Sequence, residues 1–211
     1  MKNFSRACLA LFWALIGLWQ LSDFDFIGAL PISVAGAQDS SFESKKIVPF
    51  VPSPQEVVDK MVELAGVKKG DVVFDVGSGD GRIVIAAAKK GAKATGFEID
   101  GDLVKESREN IRKAGVQNLA EIRQQDILTV DFSPASVVTM YLLPDVNLKL
   151  KPNLLSQLKP GSRVVSHSFD MGDWKPDKVE RVDGRTIIFG RFRKSDANPT
   201  GTFSIHILIL P

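Results

Sequence analysis

Cysteine and histidine are scarce in this sequence. Its 211 residues include one cysteine, Cys8, and two histidines, His167 and His206. A single cysteine excludes an intrachain disulfide framework and a zinc site made of cysteine thiolates. Two histidines are too few for a histidine-rich metal centre, so we expect the protein to bind no metal ion.

The sequence also lacks an excess of charge of either sign. Its 27 Lys and Arg residues balance 25 Asp and Glu residues, which leaves a net charge of +2. Nucleic-acid-binding proteins usually have an excess of basic residues, which this sequence does not have. We therefore expect no nucleic-acid partner. With 44% apolar and 25% charged residues, the composition excludes a disordered chain, a collagen-like repeat and a polytopic membrane protein.

The first 37 residues form a segment of their own. Lys2 and Arg6 precede a mostly apolar run over residues 7–21, which is typical of a secretory signal peptide and short for a membrane-spanning helix. Ala35-Gly36-Ala37 offers a cleavage site, but a second apolar stretch over residues 24–34 separates it from the run, so an uncleaved membrane anchor stays open. Because the basic residues precede the run and acidic residues follow it, the charge pattern places the rest of the chain across the membrane from the N-terminus.

A linker over residues 38–52 is expected to join this segment to a folded domain over residues 53–211. Ser53-Pro54-Gln55-Glu56 predicts the start of a helix, with Ser53 as N-cap and Glu56 closing a capping box. The length of the chain fits one such domain with some additional sequence.

Apolar strands and helices then alternate along the chain. Strands are predicted over residues 72–76, 94–99, 120–123, 136–142 and 163–167, and helices over residues 83–90, 102–114 and 146–158, the last divided by Pro152. Apolar strands joined by helices indicate a parallel α/β sheet covered on both faces. Near the C-terminus, residues 186–192 and 202–208 predict an antiparallel hairpin.

A glycine-rich loop follows the first predicted strand. In Asp75-Val76-Gly77-Ser78-Gly79-Asp80-Gly81 the glycines allow a tight turn and close approach of a ligand, next to the N-terminus of a helix. A dinucleotide-binding fingerprint would need a small residue at the position of Arg82. The loop therefore differs from that fingerprint: an acid, Asp75, is followed by glycines at every second position, 77, 79 and 81.

This loop resembles the first motif of the seven-stranded S-adenosylmethionine-dependent methyltransferases. The resemblance implies a Rossmann-like seven-stranded sheet, mostly parallel with a C-terminal antiparallel hairpin and helices on both faces, and S-adenosyl-L-methionine as the cofactor. Glu98, at the end of the second strand, stands at the position that binds the ribose hydroxyls, and Asp126, after the third strand, stands at the adenine position. A carboxylate accepts hydrogen bonds in both roles. The cofactor-binding residues that the resemblance implies are Asp75, Gly77, Ser78, Gly79, Gly81, Glu98, Ile99, Asp126 and Ile127.

Further segments of the sequence resemble a smaller family within this class. Residues 76–91, Gly96-Phe97-Glu98 and Trp174-x-Pro176-Asp177 are similar to the mitochondrial protein-lysine methyltransferases that modify the adenine nucleotide translocase and the c subunit of ATP synthase. Pro52-(Ser/Thr)-Pro54 and Tyr141-Leu142-Leu143-Pro144 resemble their bacterial relatives. The resemblance implies transfer of a methyl group to a lysine of a protein substrate, and the apolar N-terminal segment suits a membrane-embedded substrate.

The reaction sets modest demands on catalytic side chains. Methyl transfer is an in-line displacement in which alignment matters more than an acid–base pair, although a lysine, with a pKa of about 10.4, must first lose its proton. Candidate catalytic residues at the ends of the fourth and fifth strands are Tyr141, Asp145, Asn147, His167 and Trp174, with Asp170 and Asp173 beside them. Enzymes that methylate the amines of nucleic-acid bases have an Asn-Pro-Pro-Tyr motif after the fourth strand. This sequence has Tyr-Leu-Leu-Pro there, over residues 141–144, which disfavours such a target.

Two other functions stay open. The acceptor could be a lipid-like or quinone-like small molecule, or the chain could be a non-catalytic module that binds S-adenosylmethionine and acts with a partner. The N-terminal segment predicts a membrane-associated or exported protein, yet export would separate an enzyme from cytoplasmic S-adenosylmethionine. The side of the membrane that the domain faces therefore stays open, as does the oligomeric state.

Overall fold

The computed structural model describes residues 50–197. The N-terminal segment over residues 1–37 and the strand expected over residues 202–208 lie outside the described residues. The described residues form four α-helices, seven β-strands and two short 3₁₀ turns. In chain order these are α1 (Gln55–Leu64), β1 (Val72–Val76), α2 (Arg82–Lys89), β2 (Lys93–Glu98), α3 (Gly101–Lys113), β3 (Ala120–Gln124), a 3₁₀ turn (Ile127–Thr129), β4 (Val137–Met140), α4 (Pro144–Gln157), β5 (Arg163–His167), β6 (Lys178–Val182), β7 (Arg185–Arg191) and a 3₁₀ turn (Lys194–Ala197). In this part of the chain no helix is long and apolar enough to cross a bilayer.

The strands in this range form one mixed sheet in the order β3-β2-β1-β4-β5-β7-β6. The five strands β3, β2, β1, β4 and β5 are parallel to one another, whereas β7 runs antiparallel to both β5 and β6. The chain order reverses between β1 and β4, and open α/β sheets bind ligands at the carboxyl ends of the strands at such a point. The predicted seven-stranded α/β sheet with an antiparallel hairpin is confirmed.

Apolar layers cover both faces of the sheet because successive strand side chains point to opposite sides. On one face Val73 belongs to a core with Val57 of α1 and Ile83 of α2. On the other face Phe74 belongs to a second core with Leu150 of α4. Burial of each such side chain contributes about 1.5–3 kcal/mol, so the central strands and their carboxyl ends are held firmly between two cores.

The hairpin pairs different segments from those that the sequence predicted. Strand β7 matches the expected strand over residues 186–192, but its hairpin partner within the described residues is β6. Asp183 and Gly184 connect the two strands, and both have positive φ, +49° and +73°, as a tight two-residue hairpin turn requires. The sequence pattern missed β6 because it is a mostly polar edge strand, Lys-Val-Glu-Arg-Val, without an apolar run.

Helix α4 also differs from the prediction. It is a single helix from Pro144 to Gln157 that contains Pro152, where the sequence predicted two pieces. A proline removes one backbone hydrogen bond. Burial of Val146, Leu150 and Leu154 along one side of the helix offsets that loss and keeps the helix continuous.

The predicted capping box of α1 is wrong. The first turn is closed by the carbonyl of Pro54, which accepts hydrogen bonds from the N–H groups of Val57 and Val58, both at 3.1 Å, and within the described part of the chain no side chain caps the helix. The hydroxyl of Ser53 instead lies 2.8 Å from Nδ1 of His167. A long-range contact has therefore replaced the local one.

Candidate functional site

A cavity opens at the carboxyl ends of β1 and β4, where the strand order reverses. It encloses about 850 Å³, part of which is open to solvent. Its walls come from the loop after β1, the end of β2, the end of β4 with the start of α4, and the residues that precede α1. The lining residues are Phe50, Val51, Pro52, Ser53, Asp75, Gly77, Ser78, Asp80, Arg82, Ile83, Phe97, Glu98, Ile99, Leu103, Ile127, Tyr141, Leu142 and Val146.

The glycine loop can follow its path only because it lacks side chains at three positions. Gly77, Gly79 and Gly81 have φ angles of +71°, +53° and +81°, in the left-handed region that favours glycine. A Cβ atom at Gly77 would lie 2.6 Å from Cδ2 of Leu142. The N–H of Gly77 donates to the carbonyl of Phe97 at 2.9 Å, which ties the loop to β2. Of these three glycines only Gly77 lines the cavity, whereas a Cβ atom at Gly79 would meet Phe50 and one at Gly81 would meet Ser107 of α3.

Glu98 ends β2 and fastens the glycine loop. Its buried carboxylate accepts hydrogen bonds from the N–H of Gly79 at 2.8 Å through Oε2, and from the N–H groups of Ile99 and Asp100 at 2.8 and 3.0 Å through Oε1. An ionised carboxylate has about four acceptor positions. Three of these are occupied, so Glu98 holds the loop and keeps about one acceptor position for a hydroxyl group of a ligand in the cavity.

Asp75, at the end of β1, has one carboxylate oxygen committed and one without a partner. Oδ1 accepts a hydrogen bond from Oγ1 of Thr139 at 2.7 Å, whereas Oδ2 is buried and has no hydrogen-bond partner among the described residues. Burial raises the pKa of Asp75 to about 7, opposed by the Thr139 hydrogen bond and reinforced by the nearby carboxylates of Glu98 and Asp80. The site is thus suited to a ligand that brings a positive charge or a hydrogen-bond donor.

The other expected cofactor residues lie around the same cavity. Ser78, whose hydroxyl is also buried without a partner among the described residues, lines the cavity together with Ile99 and Ile127. Asp126 precedes Ile127, and its Oδ1 accepts a hydrogen bond from the N–H of Leu128 at 3.0 Å. Asp126 therefore caps the 3₁₀ turn that presents Ile127 to the cavity.

Tyr141 and His167 are the two catalytic candidates that the structure brings together. Tyr141 lines the cavity, and its ring stacks on the ring of His167 with centroids 3.9 Å apart and planes inclined by 31°. His167 is fully buried. Burial, together with the charge of Arg185, lowers the pKa of His167 to about 4. Its imidazole is therefore neutral near pH 7 and is too weak a base to deprotonate a lysine efficiently.

Asn147 and Asp145 have different surroundings in the first turns of α4. Asn147 is buried, and its Nδ2 donates to the carbonyls of Phe169 and Asp170 at 3.3 and 3.1 Å, so it holds the loop after β5. That loop begins at Ser168, which has a φ of +67°, a strained conformation for a residue other than glycine. Asp145 is exposed and lies 4.0 Å from Lys149.

Trp174 and Asp173 lie away from this cavity. The indole N–H of Trp174 donates to Oδ2 of Asp196 at 3.1 Å, and its ring lies against Gly190 of β7. Asp173 is exposed and forms an ion pair with Lys151. Their geometry supports a packing role for Trp174 and a surface ion pair for Asp173.

The sequence marks Ser53 as an N-cap and Pro52-Ser53-Pro54 as a family resemblance, but it gives the residues on the N-terminal side of the cavity no role in the site. Phe50–Ser53, which we term the strap, lies against the glycine loop, where a Cβ atom on Gly79 would collide with the ring of Phe50. The guanidinium of Arg82 binds the carboxylate of Asp80 through Nε and Nη2 and donates to the carbonyl of Ser53 at 2.6 Å through Nη1. These contacts link distant segments, and the sequence places residues 50–52 in a linker, so no local pattern predicts that they line the cavity.

Comparison with known proteins identifies the class of this site. Residues 75–178 match the family described as the ANTKMT methyltransferase domain. A protein-lysine N-methyltransferase of Saccharolobus islandicus is 49% identical over 138 residues, which cover 64% of this chain and 86% of that protein. The human lysine N-methyltransferase of the ATP synthase c subunit is 38% identical over 135 residues, which cover 64% of this chain and 58% of that protein.

A crystal structure shows the same fold with a bound product of the cofactor. A Salinibacter ruber protein described as an RNA methyltransferase, in complex with S-adenosyl-L-homocysteine, superposes with a TM-score of 0.67 at 54% identity, covering 68% of this chain and 95% of that one. The bare glycine loop, the acceptor capacity of Glu98 and the buried oxygens of Asp75 and Ser78 that lack partners among the described residues fit such a cofactor.

The fold and the cavity together define an S-adenosylmethionine-dependent methyltransferase. Within that class, the chain belongs to the family of the ANTKMT methyltransferase domain, whose members include protein-lysine N-methyltransferases. The predictions of the methyltransferase class, of this family and of S-adenosyl-L-methionine as the cofactor are confirmed.

Proposed function

We propose that this chain transfers a methyl group from S-adenosyl-L-methionine to the side-chain amine of a lysine in a protein substrate. The observation that carries the proposal is the 49% identity with a protein-lysine N-methyltransferase, across 86% of that enzyme's length. The matched region contains the glycine loop, Glu98 and the cavity wall that ends β4. The parts that hold the cofactor and face the acceptor therefore belong to the shared region.

The charge around the cavity agrees with a cationic acceptor. Among the residues that the structure describes, three carboxylates line it, those of Asp75, Asp80 and Glu98, against one cation, Arg82, and Arg82 is engaged by Asp80. Such a wall attracts an ammonium group and repels the phosphates of a nucleic acid. A lysine side chain therefore suits this cavity better than an RNA backbone.

The chain's own residues would act mainly by orientation. S-adenosyl-L-methionine, when bound, supplies a methyl group on a positively charged sulfur. Glu98 would accept a hydrogen bond from a hydroxyl group of the cofactor, the carboxylate of Asp75 would favour its positive charge, and the glycine loop allows close approach of the backbone. The strap covers one side of the cavity and limits access of water. Alignment of this kind lowers the barrier to an in-line displacement by holding the reacting atoms in position.

Tyr141 is the residue that we place beside the incoming lysine. The lysine, attracted as an ammonium, must lose its proton before it attacks the methyl group, since the ammonium form has no lone pair and a second cation is disfavoured next to the sulfonium. The ring of Tyr141 lies in the cavity wall and offers an aromatic face to the methylated amine. With His167 neutral, proton loss to water along the open side of the cavity is the route that this geometry supports.

A second acceptor class has one observation in its favour. The Salinibacter protein that is 54% identical to this chain is described as an RNA methyltransferase. RNA is therefore included in the experiment as a competing substrate, together with the small-molecule acceptors that the sequence left open.

The test uses the full-length chain, tritiated S-adenosylmethionine, and protein, RNA and organic-solvent fractions of the host. A Glu98→Gln variant is the control, because the amide keeps the shape of the side chain but replaces one acceptor oxygen with a donor. We expect a labelled protein whose label maps to lysine by mass spectrometry, with at least about tenfold less label from the variant.

Each other outcome points to a different function. Label that ribonuclease removes would establish an RNA substrate, and label in the organic extract would establish a lipid-like acceptor. Intact binding of S-adenosyl-L-homocysteine without label in any fraction would make the chain a binding module. Any of these three results overturns the lysine proposal.

We also propose that the protein is membrane-associated or exported and that its substrate lies at a membrane. The support is the apolar run over residues 7–21 that follows Lys2 and Arg6. Fractionation of cells that express the C-terminally tagged chain tests this location. A chain found wholly in the soluble cytosolic fraction, with residues 1–37 still attached, would contradict it.

A further inference from the structure

Ser53 and His167 form a buried pair that cofactor binding and methyl transfer leave without a role. Their side chains meet at 2.8 Å, across 114 residues of sequence. Ser53 is 4% exposed and His167 is fully buried. A hydrogen bond of this kind, between a residue before α1 and the last residue of β5, closes one side of the cavity.

Ser53 is held from the opposite direction as well. Its carbonyl accepts a hydrogen bond from Nη1 of Arg82, whose guanidinium is fixed by Asp80 in the glycine loop. Ser53 is therefore the point at which the strap is attached both to the glycine loop and to β5. Phe50, at the other end of the strap, lies over Gly79.

His167 also supports the ring that faces the acceptor. Tyr141 stacks on it at 3.9 Å, and Tyr141 is the sole tyrosine of the chain. A ring stacked on a fixed neighbour loses its freedom to tilt. The orientation of Tyr141 in the cavity wall thus depends on where His167 is held.

We propose that Ser53 and His167 are positioning residues, which hold the strap across the cofactor cavity and set the plane of the Tyr141 ring. The role of Tyr141 toward the acceptor rests on the proposed function, whereas the effect of the strap on cofactor affinity does not. The two parts can therefore be measured separately.

Cofactor affinity tests the strap. In the full-length chain, Ser53→Ala removes the hydroxyl and Ser53→Thr retains one, while His167→Phe removes the hydrogen bond and retains a flat ring. Calorimetry with S-adenosyl-L-homocysteine should show about tenfold weaker binding for Ser53→Ala and for His167→Phe, with recovery in Ser53→Thr relative to Ser53→Ala. The double variant Ser53→Ala/His167→Phe should be no weaker than either single variant, because both remove the same bond.

A matched control separates positioning from general destabilisation. Ser162 is another buried serine, and its hydroxyl donates to the carbonyl of Ala135 at 3.2 Å, at the start of β5 and away from the cavity. Ser162→Ala should lower the urea midpoint without changing the dissociation constant of S-adenosyl-L-homocysteine. Equal affinities for wild type, Ser53→Ala and His167→Phe would overturn the role of the strap, as would additive effects in the double variant.

Because the chain has a single tyrosine, the proposed effect of His167 on the Tyr141 ring can be observed directly. With tyrosine labelled only at the ε carbons of the ring, the NMR spectrum contains one tyrosine signal, that of Tyr141, and its chemical shift reports the adjacent imidazole ring. We expect His167→Asn, which removes the ring but keeps a polar group, to move this signal much further than Ser53→Thr and to lower kcat more than it raises KM. An unmoved signal in His167→Asn, or a kcat that falls no more than KM rises, would overturn the positioning of Tyr141.

Discussion

Asp75 shows how a single buried residue can couple ligand binding to protonation. Its carboxyl group has one oxygen bonded to Thr139 and the other facing the cavity without a partner among the described residues. Burial raises its pKa to about 7, so near neutral pH it is partly protonated. A cationic cofactor beside it favours the carboxylate and lowers that pKa again.

Binding of S-adenosylmethionine should therefore release protons at pH 7 and become tighter as pH rises from 6 to 8. Calorimetry in two buffers with different heats of ionisation measures the release, which we expect to be about half a proton per site at pH 7. In Asp75→Asn both the release and the pH dependence should disappear. Proton uptake on binding by the wild type would contradict this role of Asp75.

Glu98 and Trp174 show which individual residues the sequence could and could not place. The glycine loop and Glu98 were identified because their spacing along one βαβ unit is itself the signal. Trp174 was proposed as catalytic from its position after β5, yet its N–H is bound by Asp196. Its partner lies beyond β7, and no local pattern contains that information.

At the scale of elements, β2 and the glycine loop are packed at the limit that glycine allows. A Cβ atom on Gly96 of β2 would lie 2.6 Å from Oγ of Ser78 and 2.6 Å from Cδ1 of Ile122. The strand therefore needs glycine at this position for reasons of space, since its φ is not in the left-handed region. The loop lies on β2 only while this position has no side chain.

Gly96→Ala should destabilise the protein by about 1–3 kcal/mol through overpacking. Gly101→Ala is the matched control, because Gly101 also has an ordinary φ and its nearest neighbour is the amide end of the Gln124 side chain, at 3.3 Å. Both substitutions reduce the freedom of the unfolded chain equally. Urea unfolding should show a loss for Gly96→Ala and a change within about 0.5 kcal/mol for Gly101→Ala; equal effects would exclude the packing explanation.

Only one strand of the hairpin formed by β6 and β7 could be predicted from the sequence, and the polar character of β6 explains why. Strand β7 has buried apolar residues such as Ile187 and Phe189, and the pattern predicted it. Strand β6 lies at the edge of the sheet with little burial, so hydrophobic periodicity does not mark it. The parallel pairing of the central strands was predicted from their alternation with helices, whereas edge pairing depends on contacts that form only in the folded sheet.

For the molecule as a whole, Asp75 and His167 give the free energy of unfolding opposite dependences on pH. The depressed pKa of His167, about 4, means that the unfolded chain binds more protons between pH 4 and 6.5, so this residue makes stability rise with pH in that window. The raised pKa of Asp75, about 7, means that the folded chain binds more protons between about pH 4 and 7. Stability from Asp75 therefore falls as pH rises through that window.

The stability of the cofactor-free protein should consequently change little between pH 5 and 7, because the two contributions offset each other. In Asp75→Asn the free energy of unfolding should rise by roughly 1–2 kcal/mol from pH 5 to 7, and in His167→Phe it should fall by a similar amount. Urea unfolding at the two pH values measures both. Parallel pH profiles for the two variants would show that other groups dominate.

The contact between Ser53 and His167 also has a consequence for the order of assembly. Its two partners are 114 residues apart, and β5 enters the chain after β1 to β4 and α1 to α4. During synthesis the glycine loop and β2 can therefore meet while the wall that contains the strap is still incomplete. Contacts between such distant residues form late because the long loop between them must first be closed. The cofactor cavity is thus completed only after β5 has been made, so a nascent or truncated chain that ends before β5 would carry the cofactor-binding motif without the closed cavity.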